Sequence, residues 1–211
     1  MGKRIIAVIS HQRSGTHFLG SCIGSHPAIK YTGEIFWGEK TPLTTGQMWK
    51  TLDRVMCGRV EVVCLDTKYN QLSQPVRGLL AQDEVKVIHL IRRNALRLYF
   101  SGELHTWRGR NPGNAEIPVL QFSEARFNST AQEIERYKLA LGYLADVTMY
   151  YEDLTSDRPT YQLPDWASEQ LCELAGVAYM PMTTDTKKNA PVDFLQHLTG
   201  VPERLVREFA G

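Results

Sequence analysis

Apolar runs and helical stripes alternate along the chain. Ile5-Ile6-Ala7-Val8-Ile9 is a short, β-branched run with the length of a buried parallel strand. The polar turn Ser10 to Thr16 follows, and then Phe18, Leu19, Cys22 and Ile23 recur as the stripe of a helix with one buried face. Pro27 places the end of that helix near Ser25-His26. Thr44-Thr45-Gly46 leads into a second helical stripe, Met48, Leu52, Val55 and Met56. Val60 to Leu65 predicts a second strand, and Leu72, Val76, Leu79 and Leu80 predict a crossover helix within 71–82. Val85 to Ile91 predicts a third strand and Val147 to Tyr151 a fourth. Between these two, residues 104–121 are rich in Gly, Asn and Pro and read as a long loop, either a binding loop or lid or a solvated one. A helix is then expected from the capping-box pair Thr130 and Glu133, with Ile134, Tyr137, Leu141 and Leu144 facing the core. Asp165 is expected to cap a helix closed by Gly176, and Pro202 to open the last one. Strands alternating with helices predict one α/β domain over residues 1–211, a mainly parallel central sheet flanked by helices.

Composition narrows the function classes more than the fold. The 211 residues are 43% apolar and 22% charged, with a net charge of +1. No global field recruits nucleic acid or a membrane surface, so anion recognition must be local. The four cysteines, Cys22, Cys57, Cys64 and Cys172, form no C-x-x-C pair, and no metal site is expected. No apolar stretch approaches the ~18–20 residues of a membrane span, which makes the cytoplasm the expected location.

The first strand, tight turn and helix have the form of a phosphate cradle, in which N–H groups at the helix start and the helix dipole face an anion. Gly15 lets the backbone approach, Arg13 offers a forked cation, and Ser14 and Thr16 offer hydroxyl groups. The P-loop pattern G-x-x-x-x-G-K-[ST] does not fit. Ser10 stands at its first Gly, and Thr16-His17 follow Gly15 in place of Lys-Ser/Thr. Downstream, Glu34 lies in the aromatic, Gly-containing stretch Tyr31 to Trp37, either as a solvated loop charge or as a carboxylate partly desolvated by Ile35, Phe36 and Trp37 and suited to general-base work. Lys68 follows the second strand, either as a surface lysine or as a cation at the ligand-binding end of a parallel sheet. His89, inside the third strand, reads as a packed residue. Arg93 precedes a helix and Ser101 lies eight residues on, either as a helix N-terminus with a surface Arg or as an Arg and a Ser that grip one phosphate.

The stretch RSGTHFLGSCIGSHPAIKYTGE, from Arg13 to Glu34, is similar to the R-S-G-T…H-P…G-E arrangement of tyrosylprotein and bacterial carbohydrate sulfotransferases. Arg93 to Ser101 resembles the R-[ND]-x6-S motif of the same family, and Tyr151-Glu152-Asp153-Leu154 is similar to a further segment of it. The resemblance implies the sulfotransferase fold, which is like that of the nucleotide kinases. It also implies 3′-phosphoadenosine 5′-phosphosulfate (PAPS) as co-substrate, 3′,5′-ADP (PAP) as product, and a small-molecule or carbohydrate hydroxyl acceptor. Arg13, Ser14, Gly15, Thr16 and His17 would then hold the 5′-phosphosulfate, and Arg93 and Ser101 the 3′-phosphate, with Tyr151 near the adenine. Glu34 would be the general base, Lys68 a cation on the sulfuryl group, and His17 a donor to the sulfate or an alternative base. Cytosolic members carry a His two residues after this Lys, where Asn70 stands here, and an R-K-G segment near the C-terminus for which Lys187 or Lys188 would substitute. The alternatives are a small P-loop-like nucleotide kinase or NTPase, and a non-catalytic nucleotide-binding protein of the same fold.

Overall fold

The computed structural model describes residues 4–36, 43–56, 60–112, 116–155, 162–184 and 194–209. The chain divides into two compact units, Met1–Ile91 with Leu141–Lys188, and Arg92–Ala140 with Asn189–Gly211.

The first unit is built on a five-stranded sheet. Its strands are β1 (Arg4–Ser10), β2 (Ile29–Tyr31), β3 (Val62–Lys68), β4 (Val85–Ile91) and a later strand, Val147–Tyr150, in the order β2, β3, β1, β4 and the later strand, all parallel. β1 is central, and both of its faces are covered, so it reads as a continuous apolar run. Alternate residues serve alternate faces. Ile6, Val8, Cys64, Ile88 and Leu90 pack in one core with Phe18, Leu19, Cys22 and Ile23 of α1 (Thr16–Ile23). Leu163, Ala167, Leu171 and Met182 from the later part of the chain join the same core. Ile5, Ala7, Ile9, Val63 and Leu65 are buried on the opposite side. α2 (Thr45–Val55) starts on a capping box of Thr44 and Gln47 and buries Met48 and Leu52, and α3 (Gln74–Leu80) buries Val76, Leu79 and Leu80.

The register fixes the site. Ser10, the last residue of β1, is level with Lys68 on one side and Leu90 on the other. The chain order reverses around β1, and an open parallel sheet receives ligands at such a switch point, beyond the strand ends.

The second unit begins with α4 (Ala95–Arg110), capped by Asn94, whose Oδ1 accepts from the Arg97 N–H at 2.8 Å. The stretch read as a long loop from 104 is therefore helix as far as Arg110, including His105, Trp107 and Arg108. Gly102 and Gly109 cost helix propensity without breaking it, and the only proline nearby, Pro112, lies past the helix end. β5 (Leu120–Gln121) precedes α5 (Glu124–Leu141), which starts six residues before Thr130. Thr130 is thus interior, and its hydroxyl donates to the Arg126 carbonyl at 3.0 Å instead of capping. Tyr99, Phe122 and Phe127 form an edge-packed aromatic group with centroids 5.4–6.2 Å apart.

In the first unit, β6 (Val147–Tyr150) ends one residue earlier than expected, and Tyr151 opens α6 (Tyr151–Thr155). α7 (Asp165–Ala175) is capped by Pro164, so Asp165 is its first residue and not its cap, while Gly176 closes it in the left-handed conformation as expected. β7 (Leu198–Thr199) pairs with β5 in the second unit, and α8 (Glu203–Phe209) follows Pro202. The edge strand β2 has no counterpart in the sequence reading, because three residues, Ile-Lys-Tyr, are too short to show a period. Among the described residues, no helix is long and apolar enough to cross a membrane.

Candidate active site

The loop from His11 to Gly15 connects β1 to α1. Arg13 and Gly15 both take positive φ, 68° and 95°. At Gly15 a side chain is excluded twice over, since the dihedral is one that L-residues rarely adopt and a Cβ would lie 2.3 Å from Tyr151 Cδ2. Tyr151 thus lies against the loop, and its ring also meets Phe18 edge-on at 6.2 Å. Gly15, Thr16 and His17 head α1, where N–H groups lack intrahelical acceptors. The Ser14 hydroxyl is buried and has no hydrogen-bond partner among the described residues. A buried hydroxyl without a partner at a helix start fits an anion that supplies the missing acceptor.

Lys68 is not a surface residue. Its side chain is 6% exposed, and Nζ donates to Thr16 Oγ1. The same ammonium lies 3.0 Å from Asp66 Oδ2 and 3.5 Å from Glu34 Oε1. Asp66 and Lys68 point the same way because they are two residues apart on β3. Asp66 is fully buried, and its other oxygen, Oδ1, has no hydrogen-bond partner among the described residues.

Glu34 is held from its other side. Gln71 Nε2 donates to Glu34 Oε2 at 2.6 Å, and Gln71 Oε1 accepts from the Lys68 N–H at 2.8 Å and from Thr67 Oγ1 at 3.2 Å. The surroundings expected for Glu34 were apolar, from Ile35, Phe36 and Trp37. Its observed contacts are an amide and an ammonium, with Ile35 and Phe36 half-buried beside it and Trp37 outside the described residues. Asn70, in the 3-10 turn Tyr69–Gln71, is exposed.

His17 is exposed on the first turn of α1, with Nδ1 3.4 Å from the Tyr31 hydroxyl. That hydroxyl donates to Asp66 Oδ2 at 3.3 Å. Burial first, and then the Asp66 carboxylate, push the Tyr31 phenol well above its ordinary value, so it keeps its proton. His17, Glu34 and Asp66 offer ligand atoms within 4.8 Å of one another, but the cation between the two carboxylates is the Lys68 ammonium. His89 is buried as expected, with Nε2 2.6 Å from the Tyr69 hydroxyl.

Thr16, His17, Glu34 and Lys68 therefore come together, and Ser14, Gly15 and Tyr151 adjoin them. Tyr31, Asp66 and Gln71 belong to the same group and were not singled out in the sequence. The available signals were an Asp two residues before the Lys on a buried strand and a Gln three residues after it. Arg13 is exposed on the loop. Arg93 and Ser101 belong to the second unit, Arg93 one residue before the cap of α4 and Ser101 within that helix. Lys187 and Lys188 lie outside the described residues.

No protein-family model matches the chain, and no curated protein matches it. Solved structures do. The sulfotransferase from Alicyclobacillus acidocaldarius superposes with a TM-score of 0.56 at 17% identity, over 100% of this chain and 92% of that one. The sulfotransferase domain from the curacin biosynthetic pathway gives 0.58 at 12% identity, over 99% and 98%. Both span essentially the whole chain, and on this likeness the chain has the fold of the sulfotransferases.

Proposed function

We propose that this protein is a sulfotransferase that moves the sulfuryl group of PAPS to a hydroxyl of a small molecule or carbohydrate, in a single catalytic domain and in the cytoplasm. One observation carries the proposal. On a sulfotransferase fold, a buried lysine ammonium bridges the first turn of the anion loop, at Thr16, and the carboxylate of Glu34.

The loop Arg13 to His17 would take the 5′-phosphosulfate, with Ser14 Oγ and the N–H groups of Gly15 and Thr16 as donors. Glu34 would remove the proton of the acceptor hydroxyl. The new O–S bond forms in line as the S–O bond to the 5′-phosphate breaks, and the bond pair leaves with the phosphate of PAP. Lys68 would offset that charge. Positioning and charge stabilisation supply the catalysis, as in phosphoryl transfer. The assignment of Arg93 and Ser101 to the 3′-phosphate, of Tyr151 to the adenine side, and of Lys187 or Lys188 to the nucleotide rests on the sequence motifs. No role is proposed for a metal.

The test is thermal unfolding in parallel with 3′,5′-ADP, AMP and Mg·ATP. A ligand at about 100 times its Kd stabilises by ~2.7 kcal/mol. For a chain of this size that is roughly 5–10 °C. A shift of this order with 3′,5′-ADP and little with AMP supports the proposal. A shift with Mg·ATP and none with 3′,5′-ADP sinks it in favour of a nucleotide kinase. Binding of 3′,5′-ADP without PAPS turnover on any hydroxyl acceptor favours a non-catalytic binding protein.

A further inference from the structure

Asp66, Tyr31 and His17 form a line of polar groups beginning at a fully buried carboxylate and ending at an exposed imidazole. The line is built with some care. The Tyr31 ring lies flat on α1 because residue 20 is glycine, where a Cβ would sit 2.2 Å from Tyr31 Cε2. Tyr31 is the last residue of β2, which pairs with β3 so that Tyr31 is level with Cys64, two residues before Asp66. Helix and sheet together therefore aim the hydroxyl between Asp66 and His17.

A phenol has one proton to donate. Asp66 Oδ2, already paired with Lys68, is an ionised acceptor, and a charged acceptor takes the proton in preference to a neutral ring nitrogen. The Tyr31 oxygen is then an acceptor towards His17, which it meets at Nδ1. Nδ1 must carry the hydrogen, and in the neutral ring Nε2 is left as the acceptor. We propose that Asp66 and Tyr31 are positioning residues that hold His17, whose ring lies near Glu34, as its Nδ1–H tautomer, leaving Nε2 as a proton acceptor. The raised phenol value of Tyr31 agrees with this, since the relay needs a hydroxyl that stays protonated.

The inference rests on the sulfotransferase reading for its purpose and not for its chemistry. It decides between the two roles read for His17 in the sequence. A neutral Nδ1–H ring has no hydrogen at Nε2 to give a sulfuryl oxygen. It accepts from a hydroxyl, and so works on the acceptor side of the reaction. A proton taken up at Nε2 would make the ring an imidazolium, with its charge offset through Tyr31 by Asp66.

The experiment is ¹⁵N NMR of the histidine rings in the full ligand-free chain at about pH 8.5, roughly two units above the ordinary imidazole value. His17 is assigned by its disappearance in H17Q. The expected pattern is a protonated Nδ1 and a bare Nε2, converting in Y31F to a mixture or to the Nε2–H form. D66N, which removes the anionic acceptor, is expected to convert it too and serves if Y31F does not fold. A wild-type His17 in the Nε2–H form overturns the proposal, as does a tautomer that neither variant changes. In PAPS turnover, Y31F should lower kcat ~10-fold with the PAPS KM unchanged, as expected for loss of a residue that orients another. A changed tautomer with unchanged kcat would deny the relay any catalytic purpose. Absence of PAPS turnover in a wild-type chain that shows the expected tautomer would sink the sulfotransferase reading and leave the relay standing.

Discussion

Asp66 and Lys68, two residues apart on β3, form an ion pair of 3.0 Å with side-chain exposures of 0% and 6%. Burying two charges costs several kcal/mol, and mutual attraction offsets this only when the remaining polar atoms find partners. Thr16, Tyr31 and Glu34 supply partners for this pair, while Asp66 Oδ1 has none among the described residues. Such an arrangement adds little net stability and is expensive to break from one side.

K68M leaves the Asp66 carboxylate buried without its cation. The expected loss of unfolding free energy in urea is about 3–5 kcal/mol, and the double variant D66N/K68M should recover part of it. A loss in the double variant equal to the sum of the K68M and D66N losses would show that the pair is not coupled.

E34Q keeps the shape of the side chain and removes its capacity to take a proton. PAPS turnover is expected to fall at least ~10²-fold, within the usual range for a general base, while 3′,5′-ADP binding survives. Unchanged turnover would remove Glu34 as the base, and His17 would take its place.

Much of this was legible in the sequence for definite reasons. β1 is a continuous apolar run and β4 is one broken only by Lys86 and His89, and the turn between β1 and α1 combines Gly15 with hydroxyl and guanidinium side chains, so both the sheet and the loop after β1 show in the residue order. The group around Lys68 does not show, because it is assembled by register. Asp66 reads as the end of a strand until Ser10 is placed level with Lys68. Gln71 reads as a turn residue until its amide is seen to span from the Lys68 N–H to Glu34. The misread stretch from 104 failed for a different reason. Glycine marks a loop only statistically, and α4 carries Gly102 and Gly109 with no competing breaker inside it.

Tyr31 carries a pH dependence of known sign. Its phenol value is raised in the folded chain, by burial and then by Asp66. The associated stability is whole below the unfolded value of about 10 and is lost as pH rises from there towards the folded value. Alkaline unfolding curves should therefore fall more steeply above pH ~10 in wild type than in Y31F, by up to about 1.4 kcal/mol per pH unit. Identical slopes would refute the assignment.

G15A forces a side chain into a left-handed backbone and against Tyr151. A stability loss of at least ~1–2 kcal/mol is expected from the dihedral alone. Loss of 3′,5′-ADP binding should accompany it, and retention of binding in a folded G15A chain would separate the loop from the nucleotide.

Cys64 is fully buried, and burial, with Asp66 nearby, pushes its thiol well up. It should resist alkylation at pH 8 until the chain unfolds, and its modification rate in increasing urea then reports opening of the sheet beneath the site.

The level placement of Ser10, Lys68 and Leu90 makes the site depend on counting. Side chains on a strand alternate, so parity along β3 decides which groups meet the loop between β1 and α1. A single-residue deletion between Val62 and Thr67 could leave the backbone ladder paired, yet it would carry Asp66 and Lys68 to the opposite face and bring Thr67 to theirs. A two-residue deletion would restore the face but withdraw the ammonium by one pleat. Length changes at the far end of the sheet, where Gln82 to Glu84 turn into β4, leave that parity untouched. The molecule should thus accept tags and insertions at one end of its sheet and refuse even the smallest change of length inside β3.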